Sequence, residues 1–200
     1  MSINSIEYLL LGLLAFVLAG VLTWPVRKLA IAIGAMDKPT LDRKTQKEPV
    51  PYLGGVAIAL SIISVTYAAV LLSDNSKTTV SLITYAIAPA ILLGVMGLID
   101  DLRNLEPLPR LIVQTIVGVF ATLFLISQDV IGSPLDNSFF NFFVCLIWIV
   151  AICNSINFFD NLDGGASGTV AVISIFLFAI AFDHGQSLVS ALAVVTAGAT

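Results

Sequence analysis

The feature of this sequence that most restricts its fold is a series of long apolar runs. We predict membrane spans over residues 6–24, 54–72, 80–99, 111–127, 139–153, 166–182 and 187–200. About 20 apolar residues are needed to cross a bilayer as a helix, in which all backbone groups are paired. Only 11% of the residues are charged and the mean hydropathy is +1.02. These values exclude a water-soluble domain. They predict an all-α, polytopic integral membrane helical bundle with about seven spans, forming a single transmembrane domain over residues 1–200.

The positive charges predict how the bundle is oriented. Six of the nine lie between the first two spans, two lie between the third and fourth, and Lys77 alone falls on the other side. The eight are Arg27, Lys28, Lys38, Arg43, Lys44, Lys47, Arg103 and Arg110. Lysine and arginine are retained on the cytoplasmic side of membrane proteins. We therefore expect the N-terminus outside the cell and residues 25–53, 100–110 and 154–165 in the cytoplasm.

A run of oxygen-bearing side chains follows the fifth predicted span. Asn154, Asn157, Asp160 and Asp163 recur every third residue, with no lysine or arginine close in sequence. On a helix, residues three apart share a face, and unpaired polar groups at a membrane boundary are costly. The run therefore predicts a site for a cation or another hydrogen-bonding ligand. For Asp163 alone, a simpler interpretation is that it caps the sixth helix beside a glycine turn.

Two adjacent aspartates, Asp100 and Asp101, end the third predicted span. Two carboxylates at the negative end of a helix dipole repel each other and the dipole, and a divalent cation would remove both penalties. Oxygen ligands without histidine or cysteine favour Mg²⁺, with Mn²⁺ as an alternative. Pairing of one carboxylate with Arg103 is the structural alternative.

The loop between the first two spans is basic and contains three prolines, which limit its conformations. Arg43, Lys44 and Lys47 in this loop, together with Arg110, would suit an anionic phosphate substrate. Basic loops also serve only as topology signals or as binders of anionic lipid. With the two acidic groups, the loop would place metal ligands and phosphate-binding cations on one membrane face.

Three strings of residues resemble the motifs of one known family. They are Asp37-Lys-Pro through Pro49-Val-Pro-Tyr-Leu-Gly-Gly55, Gly97-Leu-Ile-Asp-Asp101, and Asn154-Ser-Ile-Asn-Phe-Phe-Asp-Asn-Leu-Asp-Gly164. In this order they resemble the polyprenyl-phosphate N-acetylhexosamine-1-phosphate transferases of glycosyltransferase family 4. That family includes enzymes that start lipid-linked glycan synthesis and the translocase that starts peptidoglycan synthesis.

The resemblance implies a Mg²⁺-dependent phosphoglycosyl transfer. A UDP-N-acetylhexosamine would give its sugar-1-phosphate to undecaprenyl or decaprenyl phosphate, with release of UMP, to begin cell-wall or lipid-linked glycan synthesis. Transfer of phospho-N-acetylmuramoyl-pentapeptide in peptidoglycan synthesis is the alternative within the family. The implied catalytic residues are Asp100 and Asp101, one of which would deprotonate the lipid phosphate. The implied metal ligands are Asp100, Asp101, Asn154, Asn157 and Asp160. The implied substrate contacts are Arg43, Lys44, Lys47, Arg110, Asp160 and Asp163.

The resemblance also implies about ten helices, so we expect this chain to be the N-terminal part of a longer protein and inactive by itself. We expect a multi-pass protein of the plasma (inner) membrane that binds membrane lipid and no nucleic acid. A homodimer stays open as an alternative.

Other classes of membrane protein remain as alternatives. CDP-alcohol phosphatidyltransferases also use aspartates at a membrane face, but their pattern has an arginine after the Asp-Gly pair, and none follows Gly164 here. Intramembrane prenyltransferases use aspartate-rich motifs without a basic proline loop. The non-enzyme alternative is a transporter or a structural membrane subunit.

Overall fold

The computed structural model describes residues 4–37, 50–72, 77–103, 105–128, 135–159 and 164–200. The helices in these ranges are α1 (Ser5–Ile33), α2 (Gly54–Leu72), α3 (Lys77–Arg103), α4 (Pro107–Ser127), α5 (Ser138–Phe159), α6 (Gly165–Asp183) and α7 (Ser187–Ala199). Two short strands, β1 (Met36–Asp37) and β2 (Val50–Pro51), pair antiparallel between α1 and α2. The predicted all-α membrane bundle is confirmed, and the strand pair is a small addition that the sequence did not indicate.

Six of the helices within the described residues are long and apolar enough to cross a membrane. The seventh, α7, has 13 residues and is shorter than a full span, since a helix of that length covers about 20 Å of a hydrocarbon layer about 30 Å thick. Many large apolar side chains point away from the protein, among them Leu9 in α1 and Trp148 in α5. Hydrocarbon is the solvent that such surfaces require. The chain is a multi-pass membrane protein.

Helix α1 extends further than the sequence predicted. The predicted span ended at residue 24, whereas α1 continues through Pro25 to Ile33. Residues 25–33, predicted as loop, are therefore helical, and Lys28 places its ammonium 3.6 Å from the centre of the Trp24 ring. The helix ends at Gly34, whose φ of 73° is left-handed and whose N–H bonds to the carbonyls of the last turn. The apolar run before Gly34 has no helix-breaking residue other than Pro25, so the glycine determines where the helix stops.

The chain divides into two compact units, the first of which contains residues 1–80 and 159–200. In it, α7 packs against α1, α2 and α6. The core consists of small residues from three helices, including Ala15, Val65 and Val195. Ser61 of α2 donates a 2.7 Å hydrogen bond to the backbone carbonyl of Ala15 in α1. Small side chains at such contacts allow membrane helices to approach closely.

The second unit contains residues 81–158, which include most of α3, all of α4 and most of α5. The rings of Tyr85 in α3 and Phe124 in α4 stack with their centres 4.0 Å apart. Asp100, near the end of α3, pairs with Arg110, near the start of α4, so these two helices run antiparallel. The prediction of one transmembrane domain over residues 1–200 stays a prediction.

Candidate active site

Asp100 lies in the last turn of α3 and has two hydrogen-bond donors within the second unit. Its Oδ2 accepts a 2.8 Å bond from the guanidinium of Arg110, and its Oδ1 accepts a 3.2 Å bond from the backbone N–H of Leu105. The Asp100 side chain is 13% exposed and that of Arg110 is 25% exposed. The carboxylate therefore forms a largely buried, charge-assisted pair. The sequence suggested Arg103 as the arginine that could pair with one of the two aspartates. The arginine that pairs with Asp100 is Arg110.

The local sequence explains why Arg110 reaches Asp100. Helix α4 begins at Pro107, and proline is favoured in the first turn because its missing N–H has no helical partner there. The ion pair shows that the first turn of α4, which contains Arg110, lies beside the last turn of α3. The structure places Arg110 on a carboxylate, and its predicted contact with a phosphate stays a prediction.

Asn154 lies near the end of α5 and contacts α4. Its Nδ2 donates a 2.8 Å bond to Oε1 of Gln114 and a second 2.8 Å bond to the carbonyl of Val150, one turn earlier in α5. The predicted span ended at residue 153, whereas α5 continues through Asn154 and Asn157 to Phe159. The helical arrangement considered from the sequence, in which residues three apart share a face, therefore applies to this pair.

Arg110 and Gln114 are four residues apart on α4 and so lie on the same face of that helix. Through them, α4 connects Asp100 of α3 with Asn154 of α5 inside the second unit. We call these four residues the polar ridge. It brings together two of the motifs that the sequence analysis singled out, and it lies at the end of three apolar helices where they leave the predicted spans.

Some of the other predicted site residues lie within the described ranges and others do not. Asn157 is exposed, and Asp101 is exposed and has an interaction partner. Several predicted residues lie outside the described ranges, and their contributions stay predictions: Arg43, Lys44, Lys47, Asp160 and Asp163. Helix α6 has Gly164 as its N-cap, with no side-chain cap bond.

Gln114 is the site residue that the sequence analysis missed. It is 8% exposed and lies within α4, in an otherwise apolar stretch. A signal was present, because an amide inside a membrane span is costly unless it has a partner, and such residues are often functional. Its spacing of four residues from Arg110 would have placed both on one helix face.

The donors of the polar ridge fit a hard divalent cation. Asp100 and Asn154 of the ridge, and Asp101 next to it in sequence, offer carboxylate and amide oxygens, which Mg²⁺ prefers, and the ridge contains neither histidine nor cysteine. Within the described residues, no group of three or more histidine, cysteine, aspartate or glutamate side chains is close enough to hold a metal. A complete ligand set would therefore need groups beyond these carboxylates, and Asn154 and Asn157 are amides of the required kind.

The fold and site together define a polytopic membrane protein with a largely buried ion pair and hydrogen-bonded amide side chains near one end of its helices. The family model of glycosyl transferase family 4 matches residues 82–200. Because that match covers more than half of the chain and includes the whole polar ridge, the chain belongs to glycosyl transferase family 4. The resemblance stated from the motifs is confirmed.

Three relatives illustrate the similarity. The "Probable undecaprenyl-phosphate N-acetylglucosaminyl 1-phosphate transferase" of Bacillus subtilis is 27% identical over 90% of this chain and 50% of its own length. The decaprenyl-phosphate N-acetylglucosaminephosphotransferase of Mycobacterium tuberculosis is 30% identical over 96% of this chain and 52% of its own. The phospho-N-acetylmuramoyl-pentapeptide-transferase of Streptococcus pneumoniae is 31% identical over 70% of this chain and 46% of its own.

The chain thus spans about half the length of the curated relatives it matches. No solved structure gives a significant match.

Proposed function

We propose that this chain carries the acceptor side of a phosphoglycosyl transferase that acts on a UDP-N-acetylhexosamine and a polyprenyl phosphate such as undecaprenyl or decaprenyl phosphate. The observation that carries the proposal is the buried Asp100–Arg110 pair at the end of α3 and α4. The guanidinium of Arg110 is held beside a carboxylate at the end of apolar helices. It can bind the phosphate of a lipid in which that phosphate is the only charged group. The names of the relatives support the same class of reaction.

The proposed reaction is a displacement at phosphorus. An oxygen of the polyprenyl phosphate forms a bond to the β-phosphorus of the UDP-sugar. The bond from that phosphorus to the bridging oxygen breaks, and UMP leaves with the electron pair. The products are UMP and a polyprenyl diphosphate sugar. Two anions must approach each other for this to occur, so positioning and charge compensation would be the main contributions of the protein.

Arg110 can serve both Asp100 and a phosphate. A guanidinium has five N–H donors, and the structure shows one of its nitrogens, Nη1, bonded to Asp100. The remaining donors can bind phosphate oxygens while the pair stays formed. Asp100 would then orient Arg110, and the neighbouring Asp101 is the better placed of the two carboxylates to accept a proton from the lipid phosphate, since it is exposed.

A divalent cation is part of the proposal. Asp100, Asp101, Asn154, Asn157 and Asp160 would hold it. When bound, Mg²⁺, or Mn²⁺ in its place, would offset negative charge on the diphosphate. The predicted substrate contacts Arg43, Lys44, Lys47, Asp160 and Asp163 would bind the nucleotide and diphosphate, as the family resemblance implies. We further propose that the site faces the cytoplasm at the plasma membrane.

The test uses the protein at the full length in which it occurs in its own membranes, purified in detergent, with sugar-labelled UDP-N-acetylglucosamine, undecaprenyl phosphate and Mg²⁺. We expect the label to enter the lipid fraction with release of one UMP for each sugar transferred. Chelation of divalent cations should abolish transfer, and added Mn²⁺ should restore part of it. If no UDP-N-acetylhexosamine is used while the Bacillus subtilis relative is active in the same assay, the proposal is wrong.

A second candidate is transfer of phospho-N-acetylmuramoyl-pentapeptide. The 31% identity to the Streptococcus pneumoniae relative favours it. The two candidates share the chemistry at phosphorus and differ only in the sugar. Labelled UDP-N-acetylmuramoyl-pentapeptide in the same assay separates them, because the preferred donor should be turned over and the other should compete weakly.

A further inference from the structure

Gln114 is the member of the polar ridge with neither a charge nor a place in the family motifs quoted above. It lies in the third turn of α4 and is 8% exposed among apolar residues. Its Oε1 receives a 2.8 Å hydrogen bond from Nδ2 of Asn154. A hydrogen-bonded pair of buried amides that only stabilised packing could be replaced by two apolar residues of similar shape at little cost. Gln114 bonds to Asn154, which is a proposed ligand of the divalent cation, and this contact indicates a role beyond packing.

The chemistry of Asn154 fixes which way its amide points. The carbonyl of Val150 can only accept a hydrogen bond, so the Asn154 atom 2.8 Å from it must be the nitrogen. The same nitrogen bonds to Gln114, which must therefore present its oxygen. With both N–H groups of Asn154 engaged, its Oδ1 is the atom that can bind a cation. Gln114 and the carbonyl of Val150 are thus the two acceptors that together hold the orientation of that oxygen.

A second feature of α4 supports this arrangement. Gly118 is one turn beyond Gln114 on the same face, and a Cβ there would lie 2.9 Å from Cδ1 of Leu146 in α5. Gly118 therefore leaves room for the Leu146 side chain between α4 and α5. The contact of Asn154 with Gln114 joins the same two helices.

We propose that Gln114 is a positioning residue, which orients the amide of Asn154 so that Oδ1 can bind a divalent cation. This inference rests on the proposed function, in which Asn154 is a ligand of that cation. Without the acceptor at Gln114, the Asn154 amide keeps only its bond to the carbonyl of Val150, so its plane is held less firmly and Oδ1 is less well aligned with the cation. Residues that orient metal ligands commonly change metal affinity 10- to 100-fold when they are replaced.

The experiment measures Mn²⁺ binding by electron paramagnetic resonance, with the purified protein and no substrate. Gln114→Met keeps the side-chain length and removes the acceptor, and Gln114→Leu is a second variant with the same expectation. We expect the dissociation constant for Mn²⁺ to rise about 10-fold. Asn154→Ala should raise it also, and the double variant should be no weaker than Asn154→Ala alone, because Gln114 acts through Asn154.

Thr122→Val is the matched control. Thr122 is on the same face of α4, two turns beyond Gln114, and its buried hydroxyl has no hydrogen-bond partner within the described part of the chain. Its replacement also removes a buried polar group, and we expect unchanged Mn²⁺ affinity. Thermal unfolding, followed by tryptophan fluorescence, checks that each variant is folded.

Two results would overturn the inference while leaving the proposed function intact. One is wild-type affinity in folded Gln114→Met or Gln114→Leu, and the other is an equal loss in the wild-type and Asn154→Ala backgrounds, which indicates a general structural effect. Wild-type protein that binds no Mn²⁺ also overturns the inference. Sugar transfer by that same preparation then decides whether the proposed function fails with it.

Discussion

At the scale of single residues, Asp100 shows how the tertiary structure resolves an electrostatic conflict. The last turn of a helix is unfavourable for a carboxylate because the helix dipole is negative there. Sequence reasoning offered a metal ion or Arg103 as the compensating charge. The structure supplies Arg110 from the next helix, together with the N–H of Leu105. The negative charge of Asp100 is therefore compensated by Arg110 of the protein itself, and a metal ion would be a further positive charge beside this pair.

Replacement of Arg110 by methionine tests the importance of the pair. The variant keeps most of the side chain's apolar length but removes the cation, so Asp100 loses its partner and a bound phosphate loses donors. We expect the rate of UMP release to fall about 100-fold or more, as is typical when one donor to a developing charge is removed.

Arg103→Met is the matched control, because Arg103 is an exposed cation in the same turn as Asp100. An exposed charge contributes little, so we expect a change of less than about threefold. Equal losses in the two variants would show that net positive charge near α3, rather than the buried pair, supports activity.

At the scale of helices, small residues determine how closely α1 and α7 approach. A Cβ on Gly198 of α7 would overlap the backbone carbonyl of Gly12 in α1, and a Cβ on Gly12 would lie 3.1 Å from Val194. The obstacle at Gly198 is backbone, which cannot rotate away as a side chain can. These two glycines therefore form a direct backbone contact between the helices, which larger residues would prevent.

Gly198→Ala should destabilise the first unit. Overpacking at a close contact typically costs about 1–3 kcal/mol, and here the helices must separate to accept the added methyl group. The free energy of unfolding, measured by titration with a denaturing detergent, should fall by that amount.

Gly20→Ala in α1 is the control, since an added Cβ there meets no atom within 4 Å. Alanine has the higher helix propensity, so we expect unchanged or slightly increased stability. If Gly198→Ala is equally harmless, the close contact of α1 with α7 does not contribute to stability.

At the scale of the whole molecule, the chain consists of two compact units that carry different parts of the predicted site. The second unit contains the polar ridge, whereas the basic loop belongs to the stretch of sequence assigned to the first unit. The three motifs can therefore lie on one membrane face only if the helices cross the membrane in the predicted order. In the part of the chain that the structure describes, six helices are long and apolar enough to span a membrane, which is compatible with the predicted alternation of sides.

Labelling of single cysteines tests that topology. After Cys145 and Cys153 are replaced by alanine, a cysteine is placed at Asn75, Asn104 or Asn161 in turn. We expect a membrane-impermeant maleimide to label residue 75 in intact cells, and residues 104 and 161 only after the membrane is opened. Labelling of residues 104 and 161 from opposite sides would make a shared site impossible.

The sequence alone determined that this chain is a helical membrane protein of one recognisable family. Hydropathy and residue order are properties of single segments, so the span over 54–72 coincides with α2, and the motifs around Asp100 and Asn154 were identified without a structure. Helix ends were less predictable, because α1 and α5 continue through polar residues beyond the ends of the predicted spans at residues 24 and 153.

Only the tertiary structure decided which side chains are partners. Arg110 bonds to Asp100, Gln114 bonds to Asn154, and Gly198 lies against Gly12. Each pair joins two helices, and its formation depends on how those helices are rotated and how closely they pack. An apolar run specifies neither quantity, because lipid accepts any apolar face and only side chains from two segments together can select one arrangement.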